Sequence, residues 1–117
     1  METDDLRERC RDTAALLRHM YEGSAALVAL VERASAADPQ LADLHDRLRK
    51  QRHASVEQMS ANVPAKAFRR PRKETYDAMT FLSAAHTYTE LVDGMGWTPA
   101  RYEAWLADAL YQVLFAD

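Results

Sequence analysis

Four histidines and one cysteine are the residues of this 117-residue chain best suited to hold a metal or move a proton, and their spacing serves neither purpose. His19, His45, His53 and His86 form no His-x-x-x-His pair, none belongs to a zincin pattern, and Cys10 has no neighbouring ligand motif. A tetrahedral zinc site needs three or four such groups converging, usually with short, recognisable spacings. His45 and Asp46 are adjacent, so on a helix their side chains diverge. No nucleophile stands at a spacing that suggests a base beside it. The chain reads as non-catalytic, with no metal and no cofactor.

Binding is the better use of its residues. Cys10, Leu17, Met20, Tyr21, Val31, Met59, Tyr76, Met79 and His86 fall on apolar helical stripes that would face one another in an interior. Methionines and aromatics at that spacing ordinarily just pack. A mostly apolar cavity with a few polar groups would instead suit a small apolar effector, with Tyr76 and His86 as the orienting polar groups.

Charge offers a second binding reading. Residues 47–73 carry nine Lys/Arg against the single acid Glu57, while the flanks sum to −5 before and −6 after. This positive patch on an acidic body, ending in Lys66-Ala67-Phe68-Arg69-Arg70-Pro71-Arg72-Lys73, has the means to touch phosphates and stack a base on Phe68. Its bland counterpart is a solvated loop between two helices.

The elements that would position these groups are helical. Only three glycines and four prolines interrupt a chain that is 48% apolar and 28% charged, a composition that favours helix over sheet. Residues 1–117 are expected to form one all-α domain of five helices. The first runs from about Asp4 to Tyr21 and is interrupted at Glu22-Gly23-Ser24, with Ser24 capping the next. The second, about Ala25 to Ala36, contains the unbroken apolar run Ala25–Val31 and so belongs at the centre. Asp38-Pro39 starts the third, with aspartate as cap and proline at the first helical position. Pro64–Lys73 is the one stretch that reads as a loop. The fourth helix spans about Glu74 to Asp93, with Gly94 as its left-handed cap. Thr98-Pro99 opens the fifth.

The last two helices carry more apolar surface than one core face holds. Phe81 and Tyr88 on the fourth, and Tyr102, Trp105, Leu106, Ala109, Leu110 and Val113 on the fifth, extend around too wide an arc. Covering a large apolar side chain is worth roughly 1.5–3 kcal/mol, and a second copy related by twofold symmetry is the commonest cover. These residues are therefore expected to form a homodimer interface.

The closing stretch Gly94-Met95-Gly96-Trp97-Thr98-Pro99, followed by Tyr102-Glu103-Ala104-Trp105-Leu106-Ala107-Asp108-Ala109-Leu110, resembles the end of many TetR-family transcriptional repressors. Met20-Tyr21-Glu22-Gly23-Ser24-Ala25 and Ala36-Ala37-Asp38-Pro39-Gln40-Leu41 are similar to joints between earlier helices of the same half. The resemblance implies a five-helix effector-binding and dimerisation domain whose last two helices, residues 75–115, join those of a partner in a four-helix bundle. It also implies that DNA is read only by a helix-turn-helix region that these residues lack. Many relatives have a proline midway through the penultimate helix where this chain has Ala85, so that helix is expected to be straighter here. A stand-alone protein of this kind would heterodimerise with, or sequester, full-length relatives.

The single cysteine excludes an intramolecular disulfide and fits a reducing cytosol. The opening Met1-Glu2-Thr3-Asp4-Asp5 is unlike a secretory leader, and the longest apolar run is too short to cross a bilayer. The expected location is cytoplasmic, with no membrane partner.

Overall fold

The computed structural model describes residues 2–116. Five α-helices make up the described chain: α1 (Thr3–Ala34), α2 (Pro39–Ser60), α3 (Arg72–Leu82), α4 (Ala85–Thr89) and α5 (Pro99–Leu114). A 3-10 turn at Ala65–Ala67 and a π-helical turn at Glu90–Gly94 complete the order. There is no strand among the described residues, only one isolated antiparallel bridge between Phe68 and Phe115.

The number of helices matches the expectation, but they are divided differently. Residues 3–34 form one helix of 32 residues, about 48 Å at the usual rise, against a longest molecular dimension of 45 Å. Gly23 does not interrupt it. Glycine within a helix costs roughly 1 kcal/mol relative to alanine, and here Tyr21, Ala25 and Ala29 on either side are buried, which offsets that cost. Ser24 is not a cap: its hydroxyl donates to the Met20 carbonyl at 2.9 Å, one turn back. The apolar run Ala25–Val31 is not central either. Ala25 and Ala29 are buried, but Leu27 and Leu30 are 66% and 54% exposed.

The fourth segment is not the straight helix expected from Ala85. It stops at Leu82 and restarts at Ala85, because donors from elsewhere take the carbonyls that a continuous ladder would use. Arg52 Nε donates to the Thr80 carbonyl at 3.1 Å, and the Tyr21 hydroxyl donates to the Ser83 carbonyl. The Thr80 and Ser83 hydroxyls bond back to Tyr76 and Thr80 carbonyls, a local competition that bends helices without any proline. After α4 the positive φ belongs to Gly96, at 75°, rather than to Gly94.

The two cap-and-proline starts are as expected. Asp38 accepts from the Gln40 amide at 2.9 Å, and Thr98 Oγ1 accepts from the Arg101 amide at 3.1 Å. From Thr98, α5 runs along α1 and forms the centre of the core. Tyr102, Leu106 and Leu110 are wholly buried there against Leu6, Cys10, Ala14 and Leu17 of α1. Arg18 ties the two helices at their edge through Glu103 at 3.3 Å.

Candidate functional site

α2 lies less closely on α1 than α5 does, and the gap between them is a cleft of about 400 Å³. Leu16, Leu17, Met20 and Val28 of α1 form one wall, Leu48, Val56 and Met59 of α2 the other, and Met79 and Ser83 the floor. A smaller recess of about 200 Å³ continues it past Thr13 and Met59 towards Cys10 and Phe115. A volume of this size with mostly apolar walls is typical of small-molecule sites. Three of the chain's five methionines line the main cleft. Their unbranched, polarizable side chains adapt to ligands of differing shape.

Of the nine residues expected to line a pocket, the structure brings six together: Leu17, Met20, Tyr21, Met59 and Met79 in the cleft, and Cys10 in the recess with Met59 and Met79. Val31, Tyr76 and His86 line neither. Val31 lies about three turns beyond Met20 towards the end of α1. Tyr76 is engaged elsewhere, accepting from Arg72 Nη1 at 3.0 Å and packing edge-on against Phe68. His86 is exposed on α4, displaced by the break that precedes it. Tyr76 and His86 are therefore not the orienting groups.

The polar lining comes instead from Thr13, Ser24, Gln51, Arg52, Ser55, Tyr21 and Ser83. Arg52 is the residue that sequence reasoning missed, because the run Arg47, Arg49, Lys50, Arg52 looks like one outward-facing basic surface. Three of these do face out and pair locally: Arg47 with Asp43, and Arg49 and Lys50 with Asp46. Arg52 is half-buried, turned towards the α3 terminus, with no carboxylate partner among the described residues. Its position one helical turn before Val56 was the available signal. Burial raises the Tyr21 hydroxyl's pKa, an effect that the nearby Arg52 charge opposes and Glu32 reinforces. Burial also pushes the Cys10 thiol up to about 11, against the smaller opposing effects of Arg7 and Arg11. That thiol is neutral and shielded, not a nucleophile.

Three arginines of the remaining basic segment close helix ends. Arg69 Nε and Arg70 Nη1 donate to the Gln112 and Val113 carbonyls at the end of α5. Arg72 donates to the Ser60 and Val63 carbonyls at the end of α2. Cations there satisfy unpaired carbonyls and complement the helix dipole. Lys73 pairs with Asp77. Lys66, Arg69 and Arg70 remain exposed.

The residues expected at a dimer interface divide in two. Tyr88, Tyr102, Leu106 and Leu110 are buried within the protomer and are not available to a second copy. α5 is broad in apolar character because it is the core helix, enclosed by α1, α3 and the π-helical turn. Phe81 and Trp105 are exposed, at 74% and 38%, while Ala109 and Val113 are half-buried. The larger exposed apolar surface lies where it was not expected. Leu16, Met20, Leu27 and Leu30 run along α1 as a stripe, spaced by four, seven and three residues.

No group of three or more His, Cys, Asp or Glu capable of holding a metal occurs among the described residues. No helix in that range is long and apolar enough to cross a membrane. Comparison of the chain with protein-family models, with curated proteins and with solved structures finds no match.

Proposed function

We propose that this chain is a non-catalytic regulatory module that takes a small apolar effector between α1 and α2 and acts as a homodimer, in the manner of the effector-binding half of a TetR-type repressor. The observation that carries the reading is the cleft itself, with its six anticipated lining residues and adaptable methionine walls. The TetR comparison rests on the residues around Gly96-Trp97-Thr98-Pro99 and the helix that follows them. In such a module the effector favours one of two arrangements of a dimer, and so biases whatever the dimer carries.

Pairing would use exposed Phe81 on α3 and exposed Trp105 on α5, with the half-buried Ala109 and Val113 following Trp105 at four-residue spacing. A nucleic-acid reading of residues 47–73 is less well supported, since Arg69, Arg70 and Arg72 are committed to helix ends.

The test is a titration with N-phenyl-1-naphthylamine, a probe that fluoresces in apolar surroundings. The expected result is saturable binding of one probe per chain, abolished when Val56→Trp fills the cleft while the helical circular dichroism is kept. Absence of saturable binding, or binding that ignores the filled cleft, would contradict the proposal.

A further inference from the structure

The main cleft is lined by one charged side chain, the cation Arg52, while the recess that continues it adds the oppositely charged Arg9 and Asp12. We infer that the ligand is an apolar monocarboxylate, held with its carboxylate on the guanidinium of Arg52 and its hydrocarbon body along Leu17, Met20, Val56, Met59 and Met79. The inference deepens the reading of the cleft as an effector site and rests on it.

Three observations support it. First, Arg52 Nε is fixed on the Thr80 carbonyl at 3.1 Å, which leaves the two terminal nitrogens without a hydrogen-bond partner among the described residues. A guanidinium fork with both ends free matches the two oxygens of a carboxylate. Secondly, no acid lines the main cleft. Glu32, the acid whose charge is also felt at Tyr21, lies 3.7 Å from His45. Thirdly, the neighbouring polar groups, Gln51 and Ser55, are neutral and sit on the same helix at the edge of the cleft. A carboxylate entering the cleft would meet this half-buried cation with a charge-assisted pair, whereas a neutral effector would not.

The test displaces bound N-phenyl-1-naphthylamine with decanoate or with decanol near neutral pH. The two share a chain length and differ in the head group. With the wild-type chain, decanoate should displace the probe at roughly tenfold lower concentration than decanol, or better, as expected for a charge-assisted pair. Arg52→Gln should abolish that preference while decanol still displaces, and Arg52→Lys should keep only part of it. Equal displacement by both in the wild-type chain would overturn the carboxylate assignment and leave the apolar site standing. Failure of the probe and of both competitors to bind would remove the site itself. If Arg52→Gln does not fold, the wild-type comparison and Arg52→Lys decide the question.

Discussion

Arg52 of α2 donates through Nε to the carbonyl oxygen of Thr80 in α3 at 3.1 Å, and this bond joins the cleft to the break in the helix beneath it. A second donor, the Tyr21 hydroxyl of α1, bonds to the carbonyl of Ser83, the residue just past the end of α3, whose own amide still pairs with the Met79 carbonyl. Both walls of the cleft therefore grip the place where α3 ends. The cleft and the break are one piece of architecture.

The Tyr21 bond can be removed alone. Tyr21 is buried, so Tyr21→Phe leaves the Ser83 carbonyl without its donor and should lower stability by about 1–3 kcal/mol. Urea unfolding followed by circular dichroism measures this. Unchanged stability would mean that the break does not depend on α1.

Gly23→Ala should act in the opposite sense. A methyl group at this position meets nothing within 4 Å, and Gly23 lies inside α1 with no positive φ. Alanine restricts the unfolded chain without strain in the folded one, so stability should rise by about 0.5–1 kcal/mol. A drop in the thermal midpoint would show that α1 is interrupted there, as the sequence by itself suggests.

Capped helix starts were readable from Asp38-Pro39 and Thr98-Pro99 because the bonds involved are local. The all-helical class was readable too, and six of the nine residues expected at a pocket do line the cleft or its recess, since apolar stripes identify the inward face of a helix whatever packs on it. Three features were not, and each depends on a distant partner. Gly23 looks like a break until the packing of Tyr21 and Ala25 is known. Ser83 looks like mid-helix until Arg52 and Tyr21 reach its neighbourhood. Tyr102, Leu106 and Leu110 look like surplus apolar surface until α1 is laid along α5. The same blindness hid Arg52 among outward-facing arginines.

Alkali should unfold the protein early. The Cys10 thiol has an ordinary value of 9.0 and is pushed up to about 11 by burial. The Tyr21, Tyr88 and Tyr102 hydroxyls are also raised, chiefly by burial. A group whose folded pKa is raised supports the fold fully below its unfolded value and loses that contribution as pH rises through the folded one. For Cys10 the window runs from pH 9.0 to about 11. The thermal midpoint should fall across it, and Cys10→Ala should reduce the fall. A flat profile in both proteins would contradict the buried placement of the thiol.

Sedimentation should separate the two exposed apolar surfaces. A chain of 13.3 kDa is expected to run as a dimer at micromolar concentration, and Phe81→Glu with Trp105→Glu should return it to the monomer. Leu27→Glu with Leu30→Glu should leave the dimer intact, each change being at an exposed site of small intrinsic cost. The reverse pattern would move pairing onto the α1 stripe.

The most direct test of the ligand cleft uses the methionines as reporters. Met20, Met59 and Met79 line it, whereas Met95 is exposed at the far end of the π-helical turn. With methyl-labelled methionine, addition of decanoate should shift the NMR signals of Met20, Met59 and Met79 along one saturation curve and leave Met95 in place. Saturating decanoate that moves none of those three, or moves Met95 alone, would contradict a binding site between α1 and α2.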